Sequence, residues 1–304
     1  MKLIIALVFT FIFSSLSSQT IYQPQDMFAD MREGDRAVVV AIHSGVADEN
    51  VRQRTTERFN ERLRNEFSQC EFREAWTSRS EIRKLEHTGK FMLTPAALFT
   101  QLRKEGFTHV LVQTSCVVEC TDMAILREDV KSALSDFKVI RLGTPLLSDP
   151  QNCTLASLAT AATFGSKRHA NVFVCTSTGN PMADAAYSML DCTVRDSELG
   201  EDFYVTTIDG FPAFENLIKR LKKAKAKRVN LIPFSFVPSS ENMAIISEQW
   251  VNQLTEAGFK VDVSECSIAE IDGILDIFVG NARTAQQMHT LSPLEIKTKR
   301  MIGF

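Results

Sequence analysis

The chain has 304 residues, 44% of them hydrophobic and 23% charged, with a formal charge of -3 and a pI near 6.0. That balance excludes nucleic acid as the expected partner and is ordinary for a globular protein. The length gives room for two domains, each with a core of its own.

Residues 1–18 read as a signal peptide. Met1-Lys2 is a short positive start, Leu3–Phe13 an apolar run, and Ser14–Ser18 a small-residue cleavage region. The run is shorter than the roughly 20 residues a membrane span needs, so no span is expected once the leader is removed. The mature protein is therefore expected to be exported, periplasmic or secreted. Residues 19–35 are polar and unpatterned, an arm leading to the first strand.

Arg36–Ile42 (RAVVVAI) is a continuous apolar run, the mark of a strand buried on both faces of a parallel sheet. Asp48–Phe67 has helical spacing, Cys70–Trp76 reads as a strand and Ser78–Leu85 as a helix. Thr94-Pro95 opens the next helix with a cap and a first-turn proline. The strand His109–Gln113 follows, then a loop carrying Cys116, Glu119, Cys120 and Asp122, a helix over Ala124–Leu134 and a strand Phe137–Leu142. Ligands in open α/β sheets bind outside the carboxyl ends of strands, so this thiol- and carboxylate-bearing loop is a first candidate for chemistry.

Ser148–Lys167 reads as a linker. Beyond it the plan repeats: strand Asn171–Cys175, helix Met182–Cys192, strand Asp202–Thr207, helix Ala213–Ala224, strand Arg228–Phe236, helix Met243–Thr255, strand Phe259–Val263 and helix Asp272–Gln286. Leu102-Arg103-Lys104 before Val110–Val112 echoes Leu221-Lys222-Lys223 before Val229–Leu231. A repeat at a period of roughly 120 residues means two α/β domains of similar topology, 36–150 and 168–304, with a ligand cleft between them.

Seven cysteines, Cys70, Cys116, Cys120, Cys153, Cys175, Cys192 and Cys266, match no zinc-finger or ribbon spacing. Cys116 and Cys120 could be a haem thiolate, a soft-metal site, a disulfide, or two inert loop thiols. Thr176, Ser177 and Thr178 lie in a hydroxyl-rich loop before a helix, suited to a carboxylate side chain or to plain helix capping. Ser177 has no G-x-S-x-G setting, which argues against a hydrolase. The basic run Lys219–Lys227 reads as a solvated helix face. Asn152-Cys153-Thr154 is a lone glycosylation sequon.

Glu74–Leu85 (EAWTSRSEIRKL), Thr94-Pro95, Gly106–Gln113 (GFTHVLVQ), Gly143–Ser148 (GTPLLS) and Ala185-Ala186-Tyr187 together resemble the anaerobic cobalt chelatases, the sirohydrochlorin cobaltochelatases of the class II chelatases. The resemblance runs from about Arg36 to Gly280. It implies two flavodoxin-like domains with a tetrapyrrole in the cleft, and insertion of a divalent metal, cobalt, without a nucleotide. Family members with signal peptides exist, some associated with haem. Oligomers are compatible with the family.

The resemblance also implies where the family's residues fall. Two metal-binding histidines fall on Ser177 and Glu241, a metal-binding glutamate on Asp122, and a histidine near the tetrapyrrole on Cys116. A His, His, Glu set would thus have become Ser177, Glu241 and Asp122. Imidazole suits cobalt better than these oxygens do, and it accepts pyrrole protons at neutral pH. Glu241 could serve as base only if burial raised its pKa. His43, after the first strand in Ile42-His43-Ser44-Gly45, could contribute a ligand from across the cleft or be a hydrogen-bonded loop residue. Two functions follow: a chelatase-like tetrapyrrole binder with weakened metal insertion, or an exported, non-catalytic binder of haem or another tetrapyrrole.

Overall fold

The computed structural model describes residues 22–290 apart from 45–47, 88, 90 and 266. The leader, the first residues of the arm and Cys266 lie outside the described residues.

The first half contains strands β1 (Tyr22–Pro24), β2 (Ala37–His43), β3 (Glu71–Trp76), β4 (His109–Thr114) and β5 (Val139–Leu142). Its helices are α1 (Glu49–Arg54), α2 (Thr56–Glu66), α3 (Arg79–Glu86), α4 (Pro95–Lys104) and α5 (Thr121–Ala133). The second half begins with α6 (Pro150–Phe164), followed by β6 (Ala170–Thr176), α7 (Pro181–Asp196), β7 (Phe203–Ile208), α8 (Phe214–Lys223), β8 (Arg228–Pro233), β9 (Lys260–Val263), α10 (Asp272–Gln287) and β10 (Met288–Thr290). Between β8 and β9 lies α9, a continuous helical run of Ser240–Ala244, a π turn over Ile245–Trp250 and Val251–Glu256.

The two main sheets are parallel and have the same topology. Their orders are β3-β2-β4-β5 and β7-β6-β8-β9. In each, the first strand in sequence lies inside the second, so the order reverses between the first and third strands. That is the topological switch point of a flavodoxin-like fold, and its carboxyl edge is where such sheets bind ligands. Val38–Ile42, Val110–Val112 and Val172–Cys175 are buried, as expected of strands covered on both faces.

Helix starts follow local chemistry. Thr94, Asp149 and Asn180 each accept a backbone N–H with their side chain, and each precedes a proline in the first turn. The span Asp48–Phe67, expected as one helix, breaks at Thr55, whose φ of -123° and ψ of -84° leave the helical region. The segment 148–167, expected as a linker, carries fifteen-residue α6, which buries Cys153, Ala156, Ser157 and Thr160.

One apolar core runs between the sheets. It joins Val39, Ala41 and Leu111 of the first half to Phe173, Val205 and Ile232 of the second, through α2, α6, α7 and α10. Phe59 of α2, Phe236 after β8 and Phe278 of α10 meet edge to face, with centroids 5.4–5.7 Å apart. Helix α10 crosses back onto the first half. Arg58 and Arg62 pair with Asp272 and Asp276 at 2.7 and 2.8 Å, and Asn281 donates to the carbonyls of Thr144 and Pro145. β1 then pairs antiparallel with β10, so the arm is tied to the strand that follows α10. Among the described residues no helix is long and apolar enough to cross a membrane.

Candidate functional site

The carboxyl ends of the four strands at the two switch points converge. β2 ends at His43, β4 at Thr114, β6 at Thr176 and β8 at Pro233. Between them lies a cavity of about 280 Å³, walled on one side by His43, Ser115, Cys116 and Cys120 and on the other by Thr176, Ser177, Thr178 and Phe236.

His43, expected in a loop, is the last residue of β2, and its side chain is 1% exposed. Nε2 lies 2.9 Å from Asn60 Oδ1, and Nδ1 lies 3.4 Å from Ser115 Oγ. Phe59 and Trp76 face the ring edge-on. Burial pushes its pKa down, with partial compensation from Glu74 and Asn60. The imidazole is therefore held neutral, with each ring nitrogen already facing a partner.

Cys116 and Cys120 stand with their sulfurs 3.6 Å apart. The loop is clamped: Cys116 N donates to Thr114 Oγ1, and the carbonyls of Cys116 and Val117 accept from Leu146 and Leu147. Cys120 is the N-cap residue of α5. The neighbouring thiol and the first N–H groups of α5 lower Cys120 to about 7, against the cost of burial. Cys116 is pushed up by Cys120 and by burial, so it is the sulfur that keeps its proton.

Asp122, expected in the loop, sits in the first turn of α5 and accepts from Thr77 Oγ1 at 3.0 Å. It does not line the cavity. Glu119 points elsewhere, to Arg127.

On the facing wall, Ser177 Oγ donates to Asp184 Oδ2 at 2.6 Å and accepts from Gly179 N. Thr178 gives Asp184 Oδ1 its N–H at 2.9 Å and its hydroxyl at 2.8 Å. One carboxylate on α7 thus holds the whole turn with three hydrogen bonds. Sequence reasoning missed Asp184; the available signal was an acidic residue in the first turns of a helix, just after a run of hydroxyls. Tyr187 OH donates to the Thr176 carbonyl, and burial raises its pKa. Thr176 Oγ1 accepts from Asn242 Nδ2 at 3.0 Å. Asn242, not Glu241, makes this link. Glu241 is exposed in the first turn of α9 and does not line the cavity, so it is not the buried base the sequence suggested.

The structure thus brings His43, Cys116, Thr176, Ser177 and Thr178 to one cavity and leaves Asp122 and Glu241 outside its lining. Among the described residues, no group of three or more His, Cys, Asp or Glu side chains is arranged to hold a metal ion.

Two flavodoxin-like halves facing each other across their switch points define an α/β protein of the chelatase fold. The model of the family "Cobalt chelatase (CbiK)" matches residues 36–287, and the chain belongs to that family. Membership implies a tetrapyrrole as ligand and a divalent metal as substrate. The chain is 26% identical over 236 residues to a sirohydrochlorin cobaltochelatase, CbiKC, of Nitratidesulfovibrio vulgaris, covering 75% of this chain and 83% of the relative. SirB from Bacillus subtilis with Fe3+ shares the fold at a TM-score of 0.61 and 14% identity, over 83% of this chain and 96% of the other. The sirohydrochlorin chelatase SirB of Bacillus subtilis subspecies spizizenii, in complex with cobalt, gives 0.58 and 13%, over 83% and 95%.

Proposed function

We propose that this chain binds a sirohydrochlorin-type tetrapyrrole at the paired strand ends, and that its metal insertion is weak. The observation that carries this reading is the donor set of the cleft. Its imidazole, His43, is neutral and hydrogen-bonded, and its hydroxyls at Ser177 and Thr178 are committed to Asp184. Insertion requires groups that take two pyrrole protons and hold the incoming metal. The resemblance puts those duties on Ser177, Glu241 and Asp122. Ser177 is a weak base beside a carboxylate it already serves, while Glu241 and Asp122 do not line the cavity. We read this as loss of the histidine pair with retention of the cleft.

The cavity is small beside typical ligand sites of roughly 300–1,000 Å³. A macrocycle would enter edge-first and leave its carboxylate-bearing rim in the open mouth. In the turn 176–178 the Ser177 and Thr178 hydroxyls donate to Asp184, whereas Thr176 Oγ1 accepts from Asn242 and keeps its own proton for one of those carboxylates.

A second reading, an exported haem binder, is favoured by one feature. Cys116 and Cys120 offer soft donors at the cavity wall, which suit a haem iron better than oxygens do. Export rests on the apolar segment Leu3–Phe13.

The test is anaerobic mixing of purified protein with sirohydrochlorin and Co2+, followed by absorption, then repetition with haem alone. The expected result is a perturbed sirohydrochlorin spectrum with cobalt incorporation little faster than without protein. Rapid multiple turnover that vanishes in Glu241→Ala overturns the weak-insertion reading. A haem spectrum perturbed in wild type and not in Cys116→Ala selects the second reading. No perturbation by either ligand overturns both.

A further inference from the structure

We propose that Cys116 and Cys120 form a redox-active dithiol in the wall of the cleft, converted to an intrachain disulfide by exchange with a disulfide-bearing oxidant.

The geometry is specific. The sulfurs are 3.6 Å apart and would need to approach by roughly 1.5 Å to reach a disulfide bond length. A change in side-chain rotamer supplies movement of that size. Both residues lie on one short loop, fixed at Thr114, Leu146 and Leu147, that holds the two sulfurs side by side.

The two thiols differ in access. Cys116 is 7% exposed, whereas Cys120 is only partly buried and lines the cavity, so a small disulfide reaches Cys120 first. The Cys120 thiolate attacks one sulfur of the oxidant. The external S–S bond breaks, and one thiolate leaves with the electron pair. Cys116 then loses its proton to that departing thiolate and attacks the Cys120 sulfur. The second external thiolate leaves and takes up a proton from solvent. Two protein thiols are oxidised and one external disulfide is reduced to two thiols.

The consequence for ligand binding rests on the tetrapyrrole reading above. Closing the bond withdraws both soft donors from the cavity wall. The reduced protein should therefore hold an iron tetrapyrrole several-fold more tightly than the oxidised protein.

The full chain, equilibrated in glutathione and glutathione disulfide buffers of graded ratio, is quenched in acid, alkylated and digested with trypsin. Lys104 and Arg127 bound one tryptic peptide, 105–127, that carries both cysteines. As the buffer becomes more oxidising, this peptide should lose both alkyl groups in one transition, with a mass two hydrogens below the dithiol form. In Cys116→Ser, Cys120 should instead retain a glutathione adduct. Persistent double alkylation across the series, or an unresolved adduct in the wild type, overturns the proposal. Haem titration of the two forms then separates the consequence from the chemistry. Disulfide formation with unchanged haem affinity overturns the link to the ligand. Disulfide formation with no haem or sirohydrochlorin binding in either form overturns the tetrapyrrole reading and leaves the redox pair standing.

Discussion

Gly143 follows β5 and faces the end of β4, at the base of the wall that carries the two thiols. A Cβ placed there would lie 1.8 Å from Gln113 Oε1 and 2.9 Å from its Cδ, with the Asn281 carbonyl at 3.4 Å on another side. Gly143→Ala must therefore drive the Gln113 amide out of place. Gln113 is fully buried, and its Nε2 donates to the carbonyls of Thr114 and Thr144 at 2.9 and 3.1 Å. Two net hydrogen bonds contribute about 1 kcal/mol each, and the overpacked side chain adds roughly 1–3 kcal/mol. The expected loss is about 3–5 kcal/mol, read as a lower midpoint in urea unfolding with little change in slope. Gly280→Ala in α10 is the control. Nothing lies within 4 Å of its added Cβ, and alanine in a helix interior should stabilise by about 0.5–1 kcal/mol. Gly143→Ala within about 0.5 kcal/mol of wild type would refute the packing argument, because it lies below any single term in the sum.

Asp184→Ala removes the acceptor of three hydrogen bonds and should cost about 2–4 kcal/mol in urea unfolding while weakening tetrapyrrole binding; Asp184→Asn should recover part of both. His43 has a folded-state pKa below its unfolded value because it is buried. Its contribution to stability is therefore present above the ordinary imidazole range and lost as pH falls from there towards the folded pKa. Unfolding midpoints measured between neutral and mildly acid pH should show this fall, and His43→Gln should flatten it. Alkylation of Cys120 by iodoacetamide, followed by mass spectrometry, should rise with pH through a midpoint near its value of about 7, and Cys116 should react far more slowly.

The sheets were legible because their inner strands are buried on both faces and so read as unbroken apolar runs, as in Val38–Ile42 and Val172–Val174. The repeat was legible because both halves place a basic helix end before the third strand. Helix α6 was not legible. It packs small residues, Ala156, Ser157 and Thr160, and so shows no apolar stripe. The return of α10 to the first half was hidden as well. Arg58 and Asp272 are 214 residues apart, and exposed charges of this kind carry no sequence pattern. At the site, strand ends supplied His43, Cys116 and Thr176 without help from distant parts of the chain. The role of Asp184 depends on how residues 176–180 turn back over α7. The contrast between Asn242 and Glu241 depends on the rotational phase of α9, which no spacing rule fixes to one residue.

The paired strand ends form the proposed tetrapyrrole site. That site is tested most directly by titrating purified protein with sirohydrochlorin under anaerobic conditions, comparing wild type with Ser235→Trp, whose indole would fill the cavity, and with Leu155→Ala, an exposed side chain of α6 outside it. Wild type and Leu155→Ala should bind saturably and Ser235→Trp should not, with all three folded by circular dichroism. Equal binding by all three would contradict the proposed site.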